Sequence, residues 1–305
     1  MTNSQLLKSG SRQRRLKEGI IGYLFMLPTV IGFTVFIIYP LISSAYYALT
    51  EYSGFGKAEF VGLDNFKWMF TKDPTFIKTI QATLLYVVYT VPAVLIFGLL
   101  LAVLLNKTMP GIKLFRTIYY LPVVVPAIAS LVLWKFIFNP DHGLFNGILA
   151  SLKLPTSRWL ESESAVLPAL TIIAIWGCGG QMIVFLSGLQ SVPAELYEAA
   201  AIDGANSLNK FFHITIPMMT PVLFLQLITG LIGGFQVINP ALIVTSGGPN
   251  LKTNFLNYQI YMSAFDKREY GYAMALVWVL FVIIMAFTVV VFKVSNSYVY
   301  YEAEE

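Results

Sequence analysis

Two stretches of this sequence place small and amide-bearing residues at the spacing of a single helix face. Gly177, Gly180, Gln181 and Val184 fall at i, i+3, i+4 and i+7, with Trp176 beside them. Gly230, Gly233, Gly234 and Val237 repeat the interval, followed by Gln236 and Asn239. Residues at this period lie on one side of a helix. Glycines so placed leave room, Gln and Asn amides hydrogen-bond hydroxyls, and an indole stacks on a ring face. The same pattern also serves close packing between membrane helices, and spacing alone leaves both readings open. Covalent chemistry finds no support. Two histidines and a single cysteine, Cys178, cannot build a zinc cluster or an internal disulfide. Cys178, set among glycines without a basic neighbour, reads as a small buried filler. No Gly-x-x-x-x-Gly-Lys-[Ser/Thr] loop occurs, so neither an ATP site nor any cofactor is expected.

The elements that must carry these stripes are membrane helices. Of 305 residues, 57% are hydrophobic and 12% charged, with mean hydropathy +0.70; soluble domains are about 25% charged. A net charge of +4 is too mild for a nucleic-acid partner, so membrane lipid is the expected surroundings. A spanning helix needs roughly 20 mostly apolar residues. Charge-free stretches of that length cover 19–50, 79–106, 164–194, 211–251 and 270–292. A shorter one, 117–134, becomes long enough when Lys135 snorkels to the interface. In the stretch 211–251, Asn239-Pro240 and Ser246-Gly247-Gly248-Pro249 end the span, and a loop is expected from residue 240. The fold class is therefore an all-α polytopic membrane protein with six transmembrane helices. Lys8, Arg12, Arg14, Arg15 and Lys17 before the first span place the N-terminus in the cytoplasm, and an even number of spans returns the C-terminus there. The expected organisation is a basic cytoplasmic segment over 1–19, one transmembrane domain over 20–294 and a cytoplasmic tail over 295–305. External connections fall at 51–78, 139–163 and 240–269.

The connection 191–213, between the fourth and fifth spans, behaves differently. Pro193 suits a first helical turn, and Glu195 and Glu198 complement the helix dipole. Leu196, Ala199 and Ala200 form a small apolar stripe, and Asp203-Gly204 ends the helix where glycine tolerates a left-handed backbone. Ser207 is the expected cap of a second short helix. Such a helical hairpin needs a surface against which to lay its stripe, its own core or a partner.

Glu198-Ala199-Ala200, Gly204, Ile214 and Pro217 resemble the cytoplasmic loop of the permease subunit of binding-protein-dependent ABC importers. The string from Leu189 to Pro193 and on to Ile216-Pro217 is similar to the carbohydrate branch. So are Phe60-Val61-Gly62-Leu63-Asp64-Asn65-Phe66, Arg116 to Pro122, Phe138 to Gly143, and Thr245-Ser246-Gly247-Gly248-Pro249. The large external insertion of some maltose permeases is absent. The resemblance implies a type I ABC importer permease fold in a bacterial cytoplasmic (inner) membrane. It also implies two permease subunits, the second usually a paralogue, two ATP-binding subunits, and an extracytoplasmic sugar-binding protein that delivers carbohydrate. By the same resemblance Glu198, Ala199, Ala200, Asp203 and Gly204 couple to the ATPase: Glu198 as a polar contact, the alanines for close seating, Gly204 for the bend. Sugar contacts in the family fall near Ala174, Trp176, Gly177, Gly180, Gly233, Gly234 and Val237, positions that here are mostly small. A permease for another polar solute such as glycerol phosphate would favour Arg or Lys in the pore, and an ion-coupled carrier would favour intramembrane carboxylates; the long spans offer neither.

Overall fold

The computed structural model describes the backbone of residues 3–295 and the side chains of residues 18–295; the tail expected at the C-terminus lies, beyond Ser295, outside the described residues. Helix α1 (Asn3–Phe33), a π-helical turn and α2 (Tyr39–Ala48) continue as one rod, of which Glu18–Ala48 is long and apolar enough to cross a bilayer. Asn65 caps the far end of this rod, donating from Nδ2 to the carbonyls of Ala48 and Thr50, both at 2.9 Å. A short antiparallel hairpin, β1 (Thr50–Glu51) and β2 (Glu59–Phe60), leads into the amphipathic helix α3 (Asp64–Thr71), which buries Met69.

The central element is α4 (Phe76–Leu105), whose buried residues recur along its whole length. Around it pack α8 (Val166–Trp176), α9 (Gly179–Ser191) and α13 (Thr220–Phe235). The last span, α15 (Tyr270–Ser295), lies along α2 and α13. Arg116 closes the end of α4 by donating from Nε and Nη2 to the Leu105 carbonyl at 3.2 and 2.8 Å. A cation is favoured there because the helix C-terminus carries the negative end of the dipole.

Three spans depart from the straight helices expected. The third is broken: α5 (Ile112–Val124) and α6 (Ala127–Ile137) meet at 98°. Pro126 has no amide to donate and bars Val125 from helical geometry, leaving Val125 extended at ψ 134°. The fourth bends by 53° at Gly177-Cys178, between α8 and α9. The fifth runs further than residue 240. After α11 (Ser207–Lys210) and α12 (Ile216–Met218), α13 is followed by a helical turn over Pro240–Thr245, so the loop expected from Pro240 begins at Ser246. A proline in a first helical turn sacrifices no hydrogen bond, whereas Ser246 and Gly247 take left-handed backbones at φ 51° and 81°.

Short helices cover the hairpin end of the bundle. Helix α7 (Leu144–Ser151) follows α6, and α14 (Leu256–Tyr261) dips back in before α15, burying Leu256, Tyr258 and Gln259. Polar ties fix α14 to α4: Asn254 donates from Nδ2 to Thr79 Oγ1 at 2.7 Å, and the Leu256 amide donates to Thr83 Oγ1 at 2.8 Å. At the opposite end of the bundle, α10 (Ala194–Ile202) stands as a separate lever.

Candidate functional site

Where α8 bends into α9, Gly177 and Gln181 face Gly230, Gly233 and Gly234 of α13 across a cavity of about 310 Å³. Four polar residues complete the wall: Tyr86 and Thr90 from α4, Gln226 and Thr229 from α13. No lining side chain is charged. Thr90 is occupied with Thr171, Oγ1 to Oγ1 at 3.3 Å, and Thr229 donates to the Leu225 carbonyl at 2.9 Å. The Gln181 amide has no hydrogen-bond partner among the described residues, and Gln226 Oε1 accepts only a long bond from Thr229 at 3.4 Å. Unengaged amides beside hydroxyls, in an uncharged recess, suit a neutral polyhydroxy solute.

The two stripes divide under this geometry. A methyl added at Gly234 would approach Val91 to 3.0 Å, and one at Gly230 the same valine to 3.2 Å, so both glycines serve the close approach of α13 to α4. A methyl at Gly233 would meet nothing within 4 Å. Gly233 therefore faces room. Of the other expected residues, Trp176 lies outside the cavity, 38% exposed and edge-on to Trp134 at 5.8 Å. Gly180 also lies off the lining, because the bend at Gly177-Cys178 breaks the single face that i, i+3 spacing assumed. Gln236 and Asn239 follow the end of α13, exposed in the turn beyond it, and Val237 packs into an apolar cluster with Tyr86 and Ile173. Gln226 and Thr229 were missed, although carrying the second stripe one turn back from Gly230 reaches Gln226. Tyr86 and Thr90, at i and i+4 of α4, gave no glycine signal. A larger cavity of about 660 Å³ between α2, α3, the start of α4 and the middle of α15 is lined by aliphatic and aromatic side chains and offers little to read a polar solute.

The lever at the other end is built by local rules. Helix α10 has Pro193 at its N-cap and ends at Gly204, φ 79°, where the Ala205 amide donates to the Ala200 carbonyl at 2.8 Å and the Gly204 amide to Ala201 at 3.2 Å. These two bonds close the helix through a left-handed glycine. The second helix is capped by Asn206, whose Oδ1 accepts from the Asn209 amide at 2.8 Å, and not by Ser207. Tyr197 ties the lever to the fifth span through Thr215, oxygen to oxygen at 3.0 Å. No side chain of α10 is buried. Glu198, Ala199 and Asp203 are exposed, Ala200 is half-buried, and Ile202 is 87% exposed. The rest of this chain leaves the apolar residues of this helix uncovered.

Residues 73–298 match the family of binding-protein-dependent transport system inner membrane components. The chain is 36% identical over 293 residues to the probable ABC transporter permease protein YesP of Bacillus subtilis, covering 95% of this chain and 94% of that one. It is 32% identical to the multiple sugar-binding transport system permease protein MsmF of Streptococcus mutans, over 93% of this chain and 98% of that one. A chain of a bacterial ABC transporter involved in alginate import superimposes with TM-score 0.82 at 24% identity, covering 94% of this chain and 99% of that one. The broken third and fourth spans thus sit within an ABC importer permease fold, and four to six of the helices can cross the membrane. With about three quarters of its sequence matched, the chain belongs to the binding-protein-dependent transport system inner membrane component family.

Proposed function

We propose that this chain, as one domain over residues 20–294, forms half of the translocation pore of an ATP-driven importer for sugars or oligosaccharides. Its partners are a second, paralogous permease, two ATP-binding subunits and an extracytoplasmic sugar-binding protein. The observation that carries the reading is the uncharged cavity in which Gln181, Gln226 and Thr229 stand beside the open face of Gly233. A phosphate-bearing solute would call for Arg or Lys donors, and the cavity has none. The basic N-terminal segment sets both termini and α10 in the cytoplasm. There Glu198, Ala199, Ala200, Asp203 and Gly204 seat in the ATPase, and closure of its cleft moves the lever and the spans tied to it.

Gly233→Leu fills the open side of the cavity without touching the lever. Sugar uptake by the complete importer in proteoliposomes falls at least about tenfold, a loss of roughly 1.4 kcal/mol in passage, while the subunits still co-purify. Unchanged uptake would remove the cavity from the pathway.

A further inference from the structure

The apolar cavity of about 660 Å³ lies apart from the inner cavity, the polar one beside Gly233. The two share α4 but none of its residues, and α2, α3 and α15 contribute nothing to the polar wall. Phe66 and Phe70 come from α3, Ile77 and Ile80 from α4, and Trp278 and Val282 from α15. One polar side-chain atom belongs to this wall, Trp278 Nε1, and it is buried without a hydrogen-bond partner among the described residues. Walls of this kind favour hydrocarbon over water or sugar. Phe70, Ile77 and Val282 line the space and are also exposed on the flank of the protein. The wall therefore continues onto the apolar surface that spanning helices turn to lipid.

One end of the cavity is marked by charge. Helix α3 is amphipathic, with Phe66 and Phe70 on the cavity and exposed Asp64 and Lys67 paired at 2.8 Å, the pattern of a helix lying in the membrane interface. Lys72 ends α3, and Lys78 stands in the first turn of α4. Both are exposed, and neither has an ionic or hydrogen-bond partner among the described residues. Asp73, between them, is hydrogen-bonded to Tyr272 and Thr75 and has Lys267 as its balancing charge. Its bond to Tyr272 also fixes the level of this group. Trp278 lies six residues further along α15, about 9 Å at helical rise. Two unmatched cations thus stand about half a leaflet above an apolar wall.

We propose that this cavity holds one acyl chain of a phospholipid whose phosphate is met by Lys72 and Lys78. The acyl chain lies against Ile80, Trp278 and Val282, and the lysines serve as flexible point charges for the phosphate. So seated, the lipid joins α3 and the start of α4 to the last span. The site is independent of which solute the pore carries.

The test uses the complete importer in phosphatidylcholine nanodiscs containing a minor fraction of phosphatidylglycerol with a photoactivatable diazirine on one chain. Labelled peptides are read by mass spectrometry, with residues 285–290 at the other end of α15 as the internal reference. Irradiation labels residues 276–283. Ala45→Phe, which fills the cavity from α2, lowers that label several-fold and leaves the reference unchanged. Lys72→Gln with Lys78→Gln lowers it likewise, as does added salt, because the phosphate contact is ionic and solvent-facing. Label unmoved by Ala45→Phe reports ordinary surrounding lipid and overturns the site. Label unmoved by the lysine pair overturns the phosphate contact, and this arm changes exposed side chains only, so it decides the matter even where Ala45→Phe fails to assemble. No label at 276–283 in the parent means that another subunit covers this flank, and overturns the proposal as well.

Discussion

Asn146 shows how much one side chain organises in the connection around α7. It is 5% exposed, and its Nδ2 donates to the carbonyls of Pro140 and Ser157 at 2.7 and 2.8 Å. Its Oδ1 accepts from the Ser157 amide at 3.2 Å and from Trp159 Nε1 at 2.8 Å. Two donors and a doubly accepting oxygen in one planar group are what a primary amide supplies. Asn146→Asp would turn the donor side into an acceptor facing two carbonyls and destabilise the chain by about 3 kcal/mol. Thermal unfolding of the purified importer checks this, with Asn146→Asp melting well below the parent. At Gly204 the backbone is the constraint. Its φ of 79° costs a non-glycine residue roughly 1–2 kcal/mol, so Gly204→Ala tilts the end of α10 and weakens stimulation of ATP hydrolysis by the binding protein. Gly204→Asn does so less, because asparagine tolerates that conformation; equal effects from the two would mean that the bend is not what matters. The turn at Gly204 was legible because only glycine is at ease there. The cap at Asn206 was not, since Asn206 and Ser207 are equally good caps and a one-residue shift in where the helix starts decides between them.

At the level of elements, hydropathy located the apolar segments but not their bends. Windows of apolar residues register length, and Val125-Pro126 changes direction without changing hydropathy, so 117–134 read as a single short span. The same blindness at Gly177-Cys178 led the first stripe to be read as one face, whereas the cavity is lined by Gly177 and Gln181 and not by Gly180 or Trp176. What fixes the elements to one another is equally hidden from sequence, because the partners are distant. Asp73, just before α4, accepts from the Thr75 amide and hydroxyl at 2.8 and 2.7 Å and from the hydroxyl of Tyr272 in the first turn of α15. Partial burial works to raise the Asp73 carboxyl, but these hydrogen bonds and the charge of Lys267 outweigh it and hold the group below its ordinary value of 3.8. A carboxyl lowered on folding stabilises the fold above that ordinary value, and the contribution disappears as pH falls through the lower folded value. Asp73→Asn thus lowers the melting temperature at neutral pH, and the gap to the parent closes as the pH drops below 3.8. A gap of constant size across that range would show that the carboxylate charge plays no part in joining α4 to α15.

At the scale of the whole molecule, the first span packs little against the rest of the chain. None of the most apolar stretch of the first span is buried within the chain, and Phe25 and Phe36 are among its most exposed residues. The end of the rod at Ala48 is fastened by the Asn65 cap and by the contact of α2 with α15. The inner cavity has the same character, since its wall comes from α4, the bend before α9 and α13, and the first and last spans contribute nothing to it. A helix that reaches away from its own bundle has lipid on all sides or the flank of a neighbouring permease on one side. These alternatives give different patterns in a cysteine scan across residues 20–38, carried out with Cys178→Ala so that the buried native thiol cannot react. Packing on a second permease yields crosslinks to that subunit at positions recurring every three to four residues, since one helix face meets the neighbour. A rod bathed in lipid yields none, and every position reacts alike with a bilayer-soluble thiol reagent. The paired-permease reading expects the periodic stripe, and uniform labelling without crosslinks would leave the first span outside any subunit interface.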